Sequence, residues 1–441
     1  MKFSQYNLII KNEYDEDSFV LFNSFTGATF KIDSFVKQQI ENEDFESFSE
    51  EILKIYESQG VLIASHIDEQ KYFEYSYQKS KFNNEVLNLT ILLTNACNLR
   101  CVYCFQGAGD IHKDSLQTST RENIYQFIVK QTTERKSKVV SIMLFGGEPL
   151  LNFKANIEWL DKIKTFCEEN GKTFVTSMVT NGTLITNEVL DLLKSYNCNY
   201  IQITLDGTKE IHDTRRVAKN GKGSFDEVLR GIKTVYNHKD FNSPLIRINI
   251  DKNNIGQTYN LLEYLKDESL TKCGIDFGIV RGGTEACASY SGHCFVESEI
   301  GDVLKDLWMK SIECGFEVSY ALIPRTLHCG LYGDSAFTIA PNGDLYKCWE
   351  HVGDKQHLMG KITSTGDVSD ITFAYFDWMS RNPLTSKKCS KCAYLPTCGG
   401  GCGSISFENE KTYHAEGCHR VIGVIEKQIN LQFEQQLKRG G

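Results

Sequence analysis

Proline is scarce, six in 441 residues, and its scarcity points to no particular function. Long apolar runs are missing: none is long enough to span a bilayer, so no membrane partner is expected. A basic excess is missing too. The net charge of −9 leaves no electrostatic footprint for nucleic acid. The acidity is spread along the chain, mildly denser over residues 41–70, and suits a basic or amphipathic peptide only weakly. The opening residues, MKFSQYNLIIKNEYDEDSF, hold one early lysine but no small-residue cleavage site after their short apolar patch. They do not read as a signal peptide, and a cytoplasmic protein is expected.

Cysteine is in excess, with sixteen along the chain. Secreted disulfide scaffolds are small, whereas this chain is long enough for two or three domains with cores of their own. Clustered cysteines in an intracellular protein point instead to metal. Residues 94–106 read TNACNLRCVYCFQ and place Cys97, Cys101 and Cys104 in the spacing C-x3-C-x2-C, directly after an apolar, strand-like run at 87–93. Three thiolates on one loop can hold three irons of a [4Fe–4S] cube and leave the fourth iron free for another ligand. Taken alone, the three cysteines also allow a zinc knuckle.

From residue 87 strands and helices alternate. The strand-like runs are 87–93, 139–145, 173–180, 200–205, 245–250 and 275–280, with helical patterns at 121–133, 157–169, 188–195, 225–237 and 256–266. That order predicts βαβ units and a parallel sheet. Cys97, the run Gly146-Gly147-Glu148-Pro149, Asn181 and Asp206 each follow a strand, so the polar clusters share one end of the sheet. Residues 1–80 predict a separate module: strands at 6–10 and 19–32, the second run folded as a hairpin about 23–27, helices at 35–40 and 45–56, and a strand at 61–63. Residues 71–85 read as a linker. In the last third, Cys329, Gly343 and Cys348 form C-x13-G-x4-C. Cys389, Cys392, Cys398 and Cys402 then form C-x2-C-x5-C-x3-C, and Cys418 follows. Zinc is the alternative for such pairs. Cys167, Cys198 and Cys273 read as packing residues, and Gly399-Gly400-Gly401 as a tight turn.

The cysteine loop with Tyr103 before its last cysteine, the GGEP run and the segment LDGTKEIHDTRR resemble the radical SAM superfamily, and the seven C-terminal cysteines resemble a SPASM domain. The resemblance covers about residues 87–420. It implies an α/β fold: a partial (β/α)6 TIM-like barrel over 81–315, a SPASM domain over 316–441, and a winged-helix-like leader-peptide recognition domain over 1–80. It implies three [4Fe–4S] clusters and S-adenosyl-L-methionine. Cys97, Cys101 and Cys104 would hold the radical cluster. Cys389, Cys392, Cys398 and Cys418 would hold a distal auxiliary cluster. Cys329, Cys348 and Cys402 would hold a proximal one, a ligand short. That site is either open to a substrate thiolate or closed by Cys287, Cys294, Cys314, His293 or His328. Tyr103, Gly146, Gly147, Pro149, Ser177, Asn181 and Asp206 would face the cofactor, with Glu148 accepting from its ammonium and Arg216 pairing with its carboxylate.

The implied reaction begins with reductive cleavage of S-adenosylmethionine to a 5′-deoxyadenosyl radical that abstracts a substrate hydrogen. The expected substrate is a ribosomally synthesised precursor peptide whose leader the N-terminal domain binds, and the expected product a crosslink, foremost a cysteine thioether. A reductant such as flavodoxin or ferredoxin is the second expected partner. Carbon–carbon or carbon–oxygen crosslinking and epimerisation are alternatives, as are formylglycine formation in sulfatases and a non-catalytic iron–sulfur regulator. Sulfatase maturases that resemble this core carry an aspartate directly after the second auxiliary cysteine, where this chain has Trp349.

Overall fold

The computed structural model describes residues 1–109 and 113–440. Its N-terminal unit pairs β1 (Lys2–Phe3) with β5 (Leu62–Ile63) around an antiparallel meander of β2 (Asn7–Lys11), β3 (Ser18–Asn23) and β4 (Thr29–Asp33). The β3–β4 turn follows from asparagine chemistry: Asn23 Oδ1 accepts from the amides of Phe25 and Thr26 at 3.0 and 2.9 Å. Helix α1 (Ser34–Glu41) starts on Asp33 and α2 (Glu50–Ser58) on Ser49, each cap accepting a backbone N–H of the first turn. Leu21, Ile32, Ile40 and Tyr56 form the unit's own small core. Its other face, Leu8, Val20 and Phe22, packs on Ile425, Ile429 and Phe433 of the C-terminal helix Val424–Gly440. The unit is therefore seated on the cysteine-rich end of the chain.

The linker expected at 71–85 is replaced over most of its length by helix α3 (Glu69–Lys81), capped by Asp68. Phe73, Tyr77 and Lys81 repeat every four residues and are buried on one face. Phe73 and Tyr77 pack with Cys389 and Leu395, and the Lys81 ammonium donates to the Arg381 carbonyl at 2.9 Å. The polar residues between them concealed the stripe.

The barrel strands are β6 (Val86–Thr94), β8 (Val139–Gly146), β9 (Thr173–Thr180), β10 (Cys198–Thr204), β12 (Leu245–Ile250) and β13 (Gly274–Ile279), all parallel and neighbours in that order. A short ribbon, β7 (Leu99–Cys101) against β11 (Arg216–Ala218), crosses their C-terminal ends. Alternation positions the site. In β8, Val140, Ile142 and Leu144 are buried in the core, while Met143 and Phe145 point into the barrel. Cys167, Cys198 and Cys273 lie in the core, as expected.

The sheet does not end at β6. Strand β15 (Ala336–Ile339) joins the edge of β6 in parallel, and β16 (Asp344–Tyr346), β17 (Gly360–Ile362) and β18 (Val368–Ser369) continue it antiparallel. With β14 (Glu317–Val318) on the far edge, the sheet has eleven strands. Cys348 follows β16 and is thereby brought to the barrel mouth. Among the described residues no helix is long and apolar enough to cross a membrane.

Candidate active site and cluster centres

A cavity of about 540 Å³ opens at the C-terminal ends of the barrel strands. Cys97, Cys101, Cys104, Tyr103, Gly146, Gly147, Asn181 and Arg216 all line it. The three thiols stand close enough that charge on Cys97 or Cys104 raises the Cys101 thiol, which burial already pushes up to about 12. Unliganded, such a thiol stays protonated; a cationic centre reverses that preference. Three convergent sulfurs fit an iron–sulfur cluster with one position left to a ligand in the cavity.

The loop is tied down through Tyr103. Its hydroxyl donates to Asp206 Oδ2 and accepts from Arg216 Nη1 at 2.7 Å and Asn249 Nδ2 at 3.2 Å. Asp206 Oδ1 accepts from the Asn249 amide at 2.9 Å. Arg215 lies over the Tyr103 ring and pairs with Asp251 at 2.7 Å. The ribbon register sets Arg216 opposite Cys101. His212, buried and held neutral by desolvation, accepts from the Asp206 amide at Nδ1 and meets Ser224 Oγ at Nε2. The arginine of LDGTKEIHDTRR thus anchors the cluster loop as well as facing the cavity.

The two glycines make room for the loop. A Cβ on Gly146 would lie 2.2 Å from the Thr94 carbonyl oxygen, and one on Gly147 would lie 2.4 Å from that of Ala96 and 2.5 Å from that of Asn95. The amides of Gly147 and Glu148 donate to Thr94 and Ala96, both at 2.9 Å. Gly147→Ala is expected to displace this loop and to at least halve the iron bound by Cys97, Cys101 and Cys104, with the other cysteine groups unaffected. Iron analysis after anaerobic reconstitution checks it, and full occupancy in the variant sinks the idea.

Four expected cofactor residues do not reach the cavity wall. Glu148 is wholly buried; its carboxylate accepts from Thr180 Oγ1 and the Asn181 amide, both at 2.7 Å, and from the Leu150 amide at 3.0 Å. With three donors already on it, it locks the GGEP turn to the end of β9. Pro149 is buried at the start of a single helical turn. Ser177 shares the face of Val179 one step deeper in the barrel. Asp206 lies behind Tyr103. Asn181 does reach the wall, but its Nδ2 donates to Asn98 of the cluster loop at 2.8 Å.

The seven C-terminal cysteines fall into two groups. Cys398 senses charge on Cys418, Cys389 and Cys392. Cys348 senses charge on Cys402 and Cys329, and burial pushes its thiol far up. The positive φ of Gly399, Gly400 and Gly401 turns the chain from one group to the other. Charge on Glu350 raises the thiols of Cys329, Cys348 and Cys402, and Arg281 acts on Cys402 in the opposite sense. Arg281 bridges Glu350 and Glu408 at 2.7 and 2.9 Å. Trp349 tilts against Phe145, and Trp349, Glu350, Arg281 and Cys287 line the same cavity as the first cysteine loop. Arg281 and Glu350 were absent from the sequence reading, although one follows the sixth strand and the other lies two residues after Cys348.

Residues 91–268 match the model of the radical SAM superfamily. The radical SAM cyclopropyl synthase TigE of Paramaledivibacter caminithermalis is 24% identical, over 90% of this chain and 88% of its own. The cysteine-type anaerobic sulfatase-maturating enzyme of Clostridium novyi is 26% identical, over 69% of this chain and 84% of its own. The solved structure of Streptococcus suis SuiB bound to precursor peptide SuiA shares the fold with a TM-score of 0.51, covering 95% of this chain and 98% of that one at 16% identity. With its cysteine loop on the first of six parallel barrel strands and a cysteine-rich C-terminus continuing the sheet, the chain carries a radical SAM domain.

Proposed function

We propose that the protein is a radical S-adenosylmethionine enzyme that installs a crosslink, a thioether from a cysteine sulfur to a carbon, in a ribosomally synthesised peptide. One observation carries the reading: a single cavity has the Cys97–Cys101–Cys104 loop on one side and Trp349 and Glu350, next to Cys348, on the other. A peptide strand lying in it would touch both centres.

Bound S-adenosylmethionine supplies the hydrogen-abstracting radical. The chain's own residues position and shield. Cys97, Cys101 and Cys104 hold the radical cluster, and the Tyr103–Asp206–Arg216 knot fixes their loop. Phe145 and Trp349 form an apolar wall that excludes water from a reactive intermediate. Cys389, Cys392, Cys398 and Cys418 hold one auxiliary cluster, and Cys329, Cys348 and Cys402 the other. Residues 1–80 act as the leader-binding domain. Strand β4 has a neighbour on one side only, which suits a leader added as the next strand. The likeness over nearly the whole chain to a SuiB structure that holds a precursor peptide supports a peptide substrate. An external reductant, a flavodoxin or ferredoxin, delivers the electron, and the reaction belongs in the cytoplasm.

Formylglycine formation in a sulfatase is the competing reading, supported by the Clostridium novyi relative. Co-expression with a short cysteine-containing peptide encoded beside the gene is expected to return that peptide two hydrogens lighter, with one cysteine no longer alkylated by iodoacetamide. Tandem mass spectrometry places the link. An unmodified peptide, together with aldehyde formed on a sulfatase-derived peptide, overturns the thioether reading.

A further inference from the structure

We propose that Glu350 supplies the fourth ligand, a carboxylate oxygen, to the cluster held by Cys329, Cys348 and Cys402; the inference rests on the auxiliary-cluster reading above. The residues that sequence spacing offers for this position are engaged elsewhere. His328 Nδ1 lies 2.9 Å from the carbonyl of Cys398, in the other cysteine group. Cys314 neighbours Glu263 and Lys310 on the helical layer. Cys287 Sγ lies 3.1 Å from Thr284 Oγ1 and 3.4 Å from the Arg281 carbonyl. Cys294 Sγ lies 3.7 Å from the Tyr290 carbonyl, and the His293 ring packs on that of Tyr290 at 4.8 Å.

Glu350 is placed differently. It shares a single helical turn, Trp349–His351, with the residue after Cys348, and its own amide donates to the Cys348 sulfur. Its two oxygens have separate roles. Oε2 accepts from Arg281 Nη2 at 2.7 Å and from Ser404 Oγ at 3.4 Å. Oε1 has no hydrogen-bond partner among the described residues. Arg281 is in turn held by Glu408 at 2.9 Å. One oxygen gripped by donors and one left free is how proteins orient a ligating carboxylate. Ser404 also lies two residues beyond Cys402, so the gripping donors and the sulfurs belong to the same turns.

The chemistry follows from softness. A carboxylate oxygen is a weaker partner for a thiolate-bound iron than a fourth sulfur. Glu350 would therefore close the site at rest and yield it to a peptide thiolate, with Arg281 retaining the displaced carboxylate. This is a ligand exchange: one iron–oxygen bond breaks, one iron–sulfur bond forms, and no electron moves.

The test uses the full chain with Cys97→Ala, Cys101→Ala and Cys104→Ala, reconstituted anaerobically, reduced with dithionite and probed with ¹³C-cyanide by electron–nuclear double resonance. With Glu350 intact, about eight irons per chain are expected, and ¹³C coupling should appear only at cyanide concentrations at least ~10-fold above those that suffice once Glu350 is removed. Adding Glu350→Ala is expected to give a ¹³C-coupled cluster at the lower concentration. Coupling at the same cyanide concentration in both proteins overturns the proposal, because the site is then open with Glu350 present. No coupling in either protein at equal iron also overturns it, because another residue then closes the site. If Glu350→Ala instead drops to about four irons, Glu350→Cys must restore about eight, and failure to do so overturns it. Four irons or none with Glu350 intact brings down the auxiliary-cluster reading itself, and this proposal with it.

Discussion

Cys97→Ala/Cys101→Ala/Cys104→Ala is expected to lower 5′-deoxyadenosine formation at least ~10³-fold, toward the uncatalysed background that enzymes typically exceed by ~10⁶ or more. The geometry explains why the loss should be near total. All three thiols line the cavity rather than the core, and burial together with the charge of the neighbouring thiols raises Cys101 to about 12, so the trio has no evident packing role. Removing them deletes the only group of cysteines at the end of β6 among the described residues, and leaves Cys389, Cys392, Cys398 and Cys418, and Cys329, Cys348 and Cys402, in place. The measurement is anaerobic turnover with dithionite and S-adenosylmethionine, followed by chromatography, with iron content as a control. Cleavage persisting in the triple variant would mean that the radical centre lies elsewhere in the chain.

Asp206→Ala is expected to cost about 3–5 kcal/mol of stability, the usual penalty for removing one partner from a buried charged network. Asp206 is wholly buried, and Arg215 and Arg216 are nearly so. Loss of its carboxylate strands the Tyr103 hydroxyl, the Asn249 amide and part of the charge of Arg215 in a site water reaches poorly. For a chain of this size the midpoint of thermal unfolding should fall by roughly 3–5 °C. Because Tyr103 lies between Cys101 and Cys104, iron held by Cys97, Cys101 and Cys104 should become more labile to chelator than in the native protein. Asp206→Asn keeps the shape and one acceptor and should fall between the variant and the native protein. An unchanged midpoint with a chelator-resistant cluster would refute the anchoring role.

The barrel was legible because its signals are local. Six apolar runs of strand length, the first four followed by polar clusters, specify both the parallel sheet and the end at which chemistry gathers, and β6, β8, β9, β10, β12 and β13 lie where periodicity put them. The grouping of the cysteines was legible because their spacing is a property of the chain itself. Helix α3 was missed because its buried stripe, Phe73, Tyr77 and Lys81, includes a lysine whose ammonium is satisfied by a carbonyl about 300 residues away, which no local pattern reveals. A further role of the two glycines was hidden for a similar reason. Their missing Cβ atoms accommodate the carbonyls of Thr94, Asn95 and Ala96, a contact visible only once β6 and β8 are side by side. Glu148 sits in the expected turn, yet sequence could not show that Thr180 and Asn181 already occupy its carboxylate.

Exchange of the N-terminal unit for another would naturally be attempted by cutting where that unit ends in the sequence. In this protein a cut near residue 80 would sever two cores. Leu8, Val20 and Phe22 would lose Ile425, Ile429 and Phe433, and Phe73 and Tyr77 would lose Cys389 and Leu395. The unit of exchange is discontinuous in the sequence: residues 1–81 travel with the chain from Cys389 to the end of the last helix. A chimera that respects that pairing keeps Cys389, Cys392, Cys398 and Cys418 in register with the unit that sits on them, so whatever the N-terminal unit recognises and whatever those cysteines hold are inherited together.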